Sequence, residues 1–310
     1  MKLEVVLTEA EIAQEFAEAI EARDLPEKFF YWSPRSAAAW RALSEDENLY
    51  GGLTGTWATL AAHAGLLATG FNGPIPVISF GAGDGARDRL LLDAFQECGS
   101  ECRYFPVDAS QALLEAACAA ADDDDFETTG IKADISSPVH LIYAADAAEP
   151  PRLFIMSGNT LGVFDPLAEI RYVAQCMKAG DTFLVDGEIY EEREIMARRE
   201  NPAVYGFVDA LLRGVGLGRI DGEIRFESKI DERHRGLYQI LRTFRAQRDL
   251  MASVNGEHVP LERGERIGLN FTYAYSPETF RWLLQDQGGF EILREYPSAD
   301  GRFLTAVCRK

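Results

Sequence analysis

The stretch "PVISFGAGDGARDRLLLDAF", Pro76 to Phe95, constrains the fold more than any other part of the sequence. A short run suited to a buried strand passes into three glycines within five positions, and then into an amphipathic helix. Gly81, Gly83 and Gly85 carry no Cβ and tolerate positive φ, so the turn can be tight and a ligand can lie against its backbone. The helix that follows directs its free N-terminal amides at the same point. Strand, glycine turn and helix in this order make the first unit of a nucleotide-binding α/β sheet. The spacing satisfies G-x-G-x-x-A with Ala86 last, so the loop alone leaves a dinucleotide open.

The chain downstream extends the pattern. "CRYFPVD" reads as the next strand, followed by the helix "SQALLEAACAAA". "ETTGIKAD" and "PRLFIMSG" are further strands, "LAEIRYVAQCMKAG" is a helix ending on glycine, and "DTFLVDGEI" is a strand. This succession predicts a parallel sheet with helices on both faces. Upstream, "LTEAEIAQEFAEAIEA" is a helix with Thr8 and Glu11 as its capping box. A second helix starts near Ser33, and "TWATLAAHAGLLATG" is a third, closed by Gly70, with His63 a structural residue on its face. Asp122 to Asp125 reads as a solvated acidic loop. After Ile189 the regularity ends. "YEEREIMARRENPAVYGFVDALLRGVGL" is helical, and "EIRFESKID", "LYQILRTFRA" and "QRDLMASVN" read as antiparallel strands. The C-terminal segment from Ser276 gives a helix, a strand, a turn at Asp300-Gly301 and a closing strand.

Composition narrows the function classes. The chain has 310 residues, 47% hydrophobic and 26% charged, which is ordinary for a globular protein of one or two domains. A net charge of −19 argues against nucleic acid, whose phosphates need concentrated Lys and Arg. The expected partner is a small molecule, and a monomer is favoured over an assembly. The five cysteines are scattered; Cys98 and Cys102 lack a second pair to complete a zinc site, so no metal is expected. Reduced thiols, an acidic N-terminus without a signal-peptide core, and no apolar run of about 18 residues predict a cytoplasmic protein away from membranes.

A parallel sheet that ends in an antiparallel hairpin resembles the fold of S-adenosylmethionine-dependent methyltransferases, whereas an NAD-binding Rossmann domain usually closes with parallel strands. The expected fold class is therefore α/β, a Rossmann-like class I methyltransferase sheet with a C-terminal hairpin, plus a second substrate-binding domain. A sulfonium nucleoside needs backbone amides and a cation for its amino-acid end, a carboxylate for its ribose, and a polar edge with apolar walls for its adenine. Gly81 to Gly85 and Arg87 suit the first demand. Asp108, ending "YFPVD" and followed by Ala109, suits the second, although it could instead cap the helix at Ser110. Asp134 and Asp146 compete for the third. Asp134 is preferred because it ends a strand-like stretch, with Ile135 beside it to pack on the ring.

The ordered set "LPEKFFY", "FGAGDGARDRLLLDAF", "YFPVDAS", "SGNTLGVFDP" and "MKAGDTFLVD" resembles more closely the family of the histidine Nα-methyltransferase of ergothioneine biosynthesis, from about Leu25 to Lys310. The resemblance implies a cofactor-binding domain of residues 54–189 and 273–310, and a substrate-binding or lid domain of residues 1–53 and 190–272. It implies S-adenosyl-L-methionine as cofactor, with S-adenosyl-L-homocysteine as product. By the same resemblance Tyr31 contacts the cofactor carboxylate, Gly81 and Arg87 are cofactor contacts, Asp108 is the ribose ligand, and Asp134-Ile135 flank adenine. Arg87 stands where the family has lysine, and Ser79 where it has an acid two residues before the first glycine.

Methyl transfer from a sulfonium needs orientation and water exclusion more than acid–base help. No catalytic triad is expected. Tyr50, Asn159, Asn270 and Thr272 are the substrate-positioning candidates, Tyr50 lying near the family's substrate tyrosine. Val163, Asn270 and Thr272 replace the asparagine, glutamate and serine with which the family holds histidine, so L-histidine is expected to be a poor substrate. The preferred function is methylation of a small molecule at an amine or hydroxyl. A non-catalytic cofactor-binding or scaffold protein, and an NAD(P) oxidoreductase, are the alternatives.

Overall fold

The computed structural model describes residues 2–123, 126–254 and 256–310. Its strands are β1 (Lys2–Val5), β2 (Ile75–Phe80), β3 (Cys102–Asp108), β4 (Glu127–Lys132), β5 (Leu153–Met156), β6 (Thr182–Glu188), β7 (Gly222–Ile230), β8 (Leu237–Ala246), β9 (Leu250–Val254), β10 (Glu257–Leu261), β11 (Arg266–Tyr275), β12 (Glu291–Pro297) and β13 (Phe303–Arg309). Eight of them form one sheet in the order β1-β4-β3-β2-β5-β6-β13-β12. Every residue of β2 is buried, as both faces of a central parallel strand must be. Val77 lies opposite Tyr104 on one side and Leu153 on the other. The chain runs outward from β2 to β3 and β4, then returns to β5. The order thus reverses between β2 and β5, where doubly wound sheets open a ligand crevice at the carboxyl ends of their strands. β13 runs antiparallel to both β6 and β12, the C-terminal hairpin that the sequence predicts.

The capping box of the helix Glu9–Glu21 is present, with the Thr8 hydroxyl accepting from the Glu11 amide. Ser33 caps Pro34–Ser44 in the same manner. Several boundaries differ from expectation. Lys2–Val5 is an edge strand of the large sheet, paired in parallel with β4, so part of the 1–53 segment lies in that sheet. The third helix begins at Glu47 and ends at Ala61, followed by a separate short helix, Ala64–Ala68. His63 is exposed between them. Asn201 and Pro202 divide the following helical region into Glu192–Arg199 and Pro202–Gly214. β10 and β11 are strands that the sequence pattern did not show; β11 joins β8 and β7 in a three-stranded sheet. Of the acidic stretch 122–125, residues 122 and 123 close the helix Gln111–Asp123, and 124 and 125 lie outside the described residues.

Two hydrophobic cores flank the large sheet. A further core draws on both the N-terminal helices and the 190–272 segment, with Phe16, Ile20, Phe29, Phe30, Leu49, Phe207, Leu211 and Phe244 at its centre. The helix Glu47–Ala61 serves two of these cores. Leu49 packs in the last one, whereas Leu53, Trp57 and Leu60 pack on the sheet. Between them lie Gly51 and Gly52, and the Asp300 carboxylate sits so close to Gly52 that a Cβ there would meet it at 2.4 Å.

One buried ion pair locks the base of the sheet. Arg152 meets Asp181 at 2.7 Å, donates to the carbonyls of Ala145 and Cys176, and donates to Asp181 again from its own backbone amide. With these charges paired and hydrogen-bonded, their desolvation is compensated. All five cysteines are free, Cys98 alone exposed, and burial pushes the Cys176 thiol up to about 11. Among the described residues no helix is long and apolar enough to cross a membrane.

Candidate active site

A cleft opens at the carboxyl ends of β2, β3 and β4 and the loop after β5. Its floor is the glycine turn, drawn in by the Gly81 amide, which donates to the Val107 carbonyl at 2.8 Å. Gly83 adopts φ +59, and a Cβ there would lie 2.5 Å from the Trp40 ring, so no side chain fits between turn and indole. The Gly83 amide donates to Asp108 Oδ2 at 2.9 Å, while Oδ1 accepts from the Ser110 amide at 2.8 Å. Asp108 braces the start of the next helix and also lines the cleft. Burial raises its pKa to about 6 despite these amides, with the Asp84 charge adding to the rise.

Ala109, Ile135, Asp134, Arg87, Tyr31 and Tyr50 line the same cleft, together with Gly81 and Gly83. Gly85 does not. It faces Ala117 and the Tyr104 hydroxyl, allowing the turn to pack on the neighbouring helix. That hydroxyl donates to Asp88 at 2.6 Å. Asp88 is thus the buried acid behind the turn, where the sequence offered only Ser79. Burial raises its pKa to about 6.

Asp134, not Asp146, lines the cleft. Its Oδ2 accepts from Lys28 Nζ at 2.7 Å and its Oδ1 from the Ser136 amide and hydroxyl. Burial alone would raise this carboxyl, but Lys28 and Ser136 outweigh it and hold the group below its ordinary range. The Arg87 guanidinium lies 5.2 Å over the Tyr50 ring, and its buried Nε has no hydrogen-bond partner.

A second cavity adjoins the first, sharing Glu27, Tyr31, Trp40, Tyr50, Gly158 and Val163 with it. Leu43, Leu49, Val204 and Phe207 supply apolar wall. Its charged lining, Glu27, Glu188, Arg198, Arg199 and Arg242, escaped the sequence reasoning. Glu27 is a hub that accepts from the Tyr31 hydroxyl at 2.6 Å, from Arg242 at 2.7 Å and from Asn270. Burial and the Glu27 charge raise the Tyr31 hydroxyl well above its usual range, so Tyr31 keeps its proton and donates it to Glu27. Glu188, the last residue of β6, bridges Arg198 and Arg199, each at 2.8 Å. Burial works against ionisation of Glu188, and the two guanidiniums reverse the balance.

The four substrate-positioning candidates separate. Tyr50 lines both cavities, and Thr272 lines the second while accepting from Arg199 at 3.2 Å. Asn159 borders the second cavity, but its amide is engaged by main chain, donating to the Tyr273 carbonyl and accepting from the Glu188 amide. Its own amide and that of Gly158 donate to Asp186, which also accepts from Trp57. Asn270 lines neither cavity; it donates to Glu27 and to the Val163 carbonyl. Both asparagines have φ +58, a left-handed conformation that asparagine tolerates better than most residues. Their residue type answers a backbone demand.

A doubly wound sheet closed by an antiparallel hairpin, with a glycine turn and a carboxylate at its switch point, defines a class I S-adenosylmethionine-dependent methyltransferase fold. The chain belongs to the family of histidine-specific, S-adenosylmethionine-dependent methyltransferases, whose sequence profile matches residues 8–310. Among solved structures it is similar to an S-adenosylmethionine-dependent methyltransferase from Clostridium acetobutylicum, with 13% identity, a TM-score of 0.46, and coverage of 86% of this chain and 98% of that one. The CcbJ methyltransferase from Streptomyces caelestis is similar at 14% identity and a TM-score of 0.40, over 80% of this chain and 94% of the other. The glycopeptide N-methyltransferase MtfA, crystallised with S-adenosyl-L-methionine, is similar at 15% identity and a TM-score of 0.38, over 80% and 93%. No curated protein sequence matches the chain.

Proposed function

We propose that this methyltransferase acts on a small molecule other than L-histidine, at an amine or hydroxyl presented where the two cavities meet. The observation that carries the reading is that shared wall of Tyr31, Tyr50, Gly158 and Val163. When bound, S-adenosyl-L-methionine supplies a methyl group already activated on a sulfonium. The cleft suits it: Gly81 to Gly83 and Arg87, with its unpartnered Nε, would hold the amino-acid end, Asp108 would accept the ribose hydroxyls, and Asp134 and Ile135 would border the adenine. The chain's own work is to orient the nucleophile and exclude water. Orientation of this kind lowers a barrier by roughly 7–11 kcal/mol. Apolar walls from Leu43, Leu49, Val204 and Phe207 favour an amine in its neutral, nucleophilic form. Glu27 faces both cavities and has accepted three donors of about four it can take. It offers an incoming N–H or O–H one remaining site.

Histidine fits poorly because the groups that would read it are missing. Val163 has no side-chain polar atom, and the Asn270 amide is turned to Glu27 and a carbonyl. Losing one charged and one neutral buried contact costs roughly 2–5 kcal/mol, a factor of about 30 to several thousand. The test is transfer of labelled methyl from S-adenosyl-L-methionine to a panel of small amines, amino acids and phenols that includes L-histidine. Turnover of a panel member at least about 30-fold above that of L-histidine in kcat/KM is expected. Efficient methylation of submillimolar L-histidine overturns the reading.

A further inference from the structure

The second cavity carries three guanidinium groups against two carboxylates, a surplus of one positive charge. Arg242 and Glu27 face each other at 2.7 Å and balance. The surplus therefore lies with Arg198 and Arg199, which divide the single carboxylate of Glu188 between them. Arg198 is 9% exposed, and only its Nη2 reaches Glu188; its Nε and Nη1 are buried without a hydrogen-bond partner. The Phe303 ring, 5.8 Å from the guanidinium carbon, eases the charge but accepts no directed hydrogen bond at these nitrogens. Arginine donors held out of water and unfilled are costly unless an anion completes them. Arg198, Arg199 and Glu188 line only the second cavity, whereas Tyr50, Gly158 and Val163 line both. The surplus charge thus sits on the part of the second cavity that is not shared with the cofactor cleft.

We propose that Arg198 and Arg199 form an anion subsite for a carboxylate on the methyl-accepting substrate, which places that carboxylate in the unshared part of the second cavity and the nucleophile at the shared wall. The inference rests on the methyltransferase reading of the same pocket. A monoanion neutralises the surplus of one, and a phosphate dianion would leave the pocket negative. Guanidinium pairs receive carboxylates with short, charge-assisted hydrogen bonds. The accepted molecule is then bipolar: an amine or hydroxyl at one end and a carboxylate at the other.

Sodium acetate is the probe. Saturation-transfer NMR on the full-length protein loaded with S-adenosyl-L-homocysteine, at fixed ionic strength in chloride, reads its binding directly. Calorimetry of S-adenosyl-L-homocysteine on each variant serves as the separate control for fold and cofactor site. The wild type should show saturation transfer to acetate, and Arg198→Gln should weaken acetate binding by about tenfold or more while keeping its cofactor affinity. Glu188→Gln frees both guanidiniums and should strengthen acetate binding, so a prediction of opposite sign stands even if Arg198→Gln does not fold. Equal acetate binding in wild type and Arg198→Gln, weaker binding in Glu188→Gln, or no binding to the wild type overturns the subsite. Displacement of acetate by inorganic phosphate at equal ionic strength overturns the carboxylate assignment. Failure of the wild type to bind S-adenosyl-L-homocysteine strikes the cofactor reading instead, and acetate binding is then read on the unloaded protein.

Discussion

Lowering the pH should loosen the cofactor through Asp108. Its carboxyl is raised to about 6 by burial, with the Gly83 and Ser110 amides pulling the other way. Only the ionised form can accept both ribose hydroxyls, so binding favours the deprotonated state and releases a proton when it occurs below pH 6. The affinity is therefore full above the midpoint and falls as pH drops through it. At pH 7 about nine-tenths of the group is ionised, and at pH 5 about one-tenth, which predicts roughly tenfold weaker binding across that interval. The amino and carboxyl groups of S-adenosyl-L-homocysteine stay essentially in one form over this range. Asp88 also has its midpoint near 6, but it lies behind the turn with Tyr104. Asp108→Asn separates the two. An amide NH₂ in that place confronts the Gly83 or Ser110 amide, and a charge-assisted acceptor worth about 1.5–3 kcal/mol is lost, so affinity at pH 7 should fall about 10- to 150-fold. It should also lose most of its pH dependence. Calorimetric titrations of S-adenosyl-L-homocysteine at pH 5, 6 and 7 check both statements, with circular dichroism to verify the fold. A wild-type affinity that is flat from pH 5 to 7, or an Asp108→Asn protein that keeps the full slope, refutes the reasoning.

Gly83→Ala should weaken S-adenosyl-L-homocysteine by at least about tenfold in the same assay, because the new Cβ meets the Trp40 ring and the φ of +59 adds strain of about 1–3 kcal/mol. Arg152→Ala, far from both cavities, should cost about 3–5 kcal/mol in urea denaturation by leaving Asp181 buried and unpaired. A loss under about 1 kcal/mol would mean that water reaches Asp181.

The large sheet was legible where its residues announce burial on both faces, as in Ile75–Phe80, and the closing hairpin where Asp300-Gly301 marks a turn. β1 was not. Four residues with two charges among them form a strand only because β4 offers an edge, and their pattern is weak beside the capping box at Thr8 that opens the next helix. β11 was hidden by its own irregularity: the register shifts between Gly268 and Phe271, and Asn270 breaks the alternation there with positive φ. Asn159 and Asn270 illustrate the ambiguity of a polar residue type, since the same side chain suits a ligand or a left-handed backbone. The pocket arginines were lost in "EREIMARR", which reads as a solvated helix face. The one local signal was Ile195, fully buried and three residues before Arg198, hence on the same side of the helix. That Glu188, Glu27 and Arg242 converge on one chamber is a property of three distant segments, and no local pattern carries it.

The pair Gly51-Gly52 gives the helix Glu47–Ala61 a place where the C-terminal hairpin can press directly on its backbone. On one side rides Leu49, in the core shared with the N-terminal helices; on the other ride Leu53 and Trp57, on the sheet, and Tyr50 packs against both cores, its ring stacked 6.2 Å from that of Phe303. Each glycine forgoes about 1 kcal/mol of helix propensity, and at Gly52 the space so opened is filled by the Asp300 carboxylate. Trp57 grips Asp186, which in turn tethers the Gly158 and Asn159 amides, so the sheet-side half stays fixed to the loop bordering both cavities. Tyr50 is held to the same frame, its ring stacked on Phe303 of β13 with the Arg87 guanidinium 5.2 Å over it. Asp300 against Gly52 and Arg302 donating to the Asn48 carbonyl thus fasten the C-terminal hairpin to the helix that carries Tyr50, the residue common to both cavities.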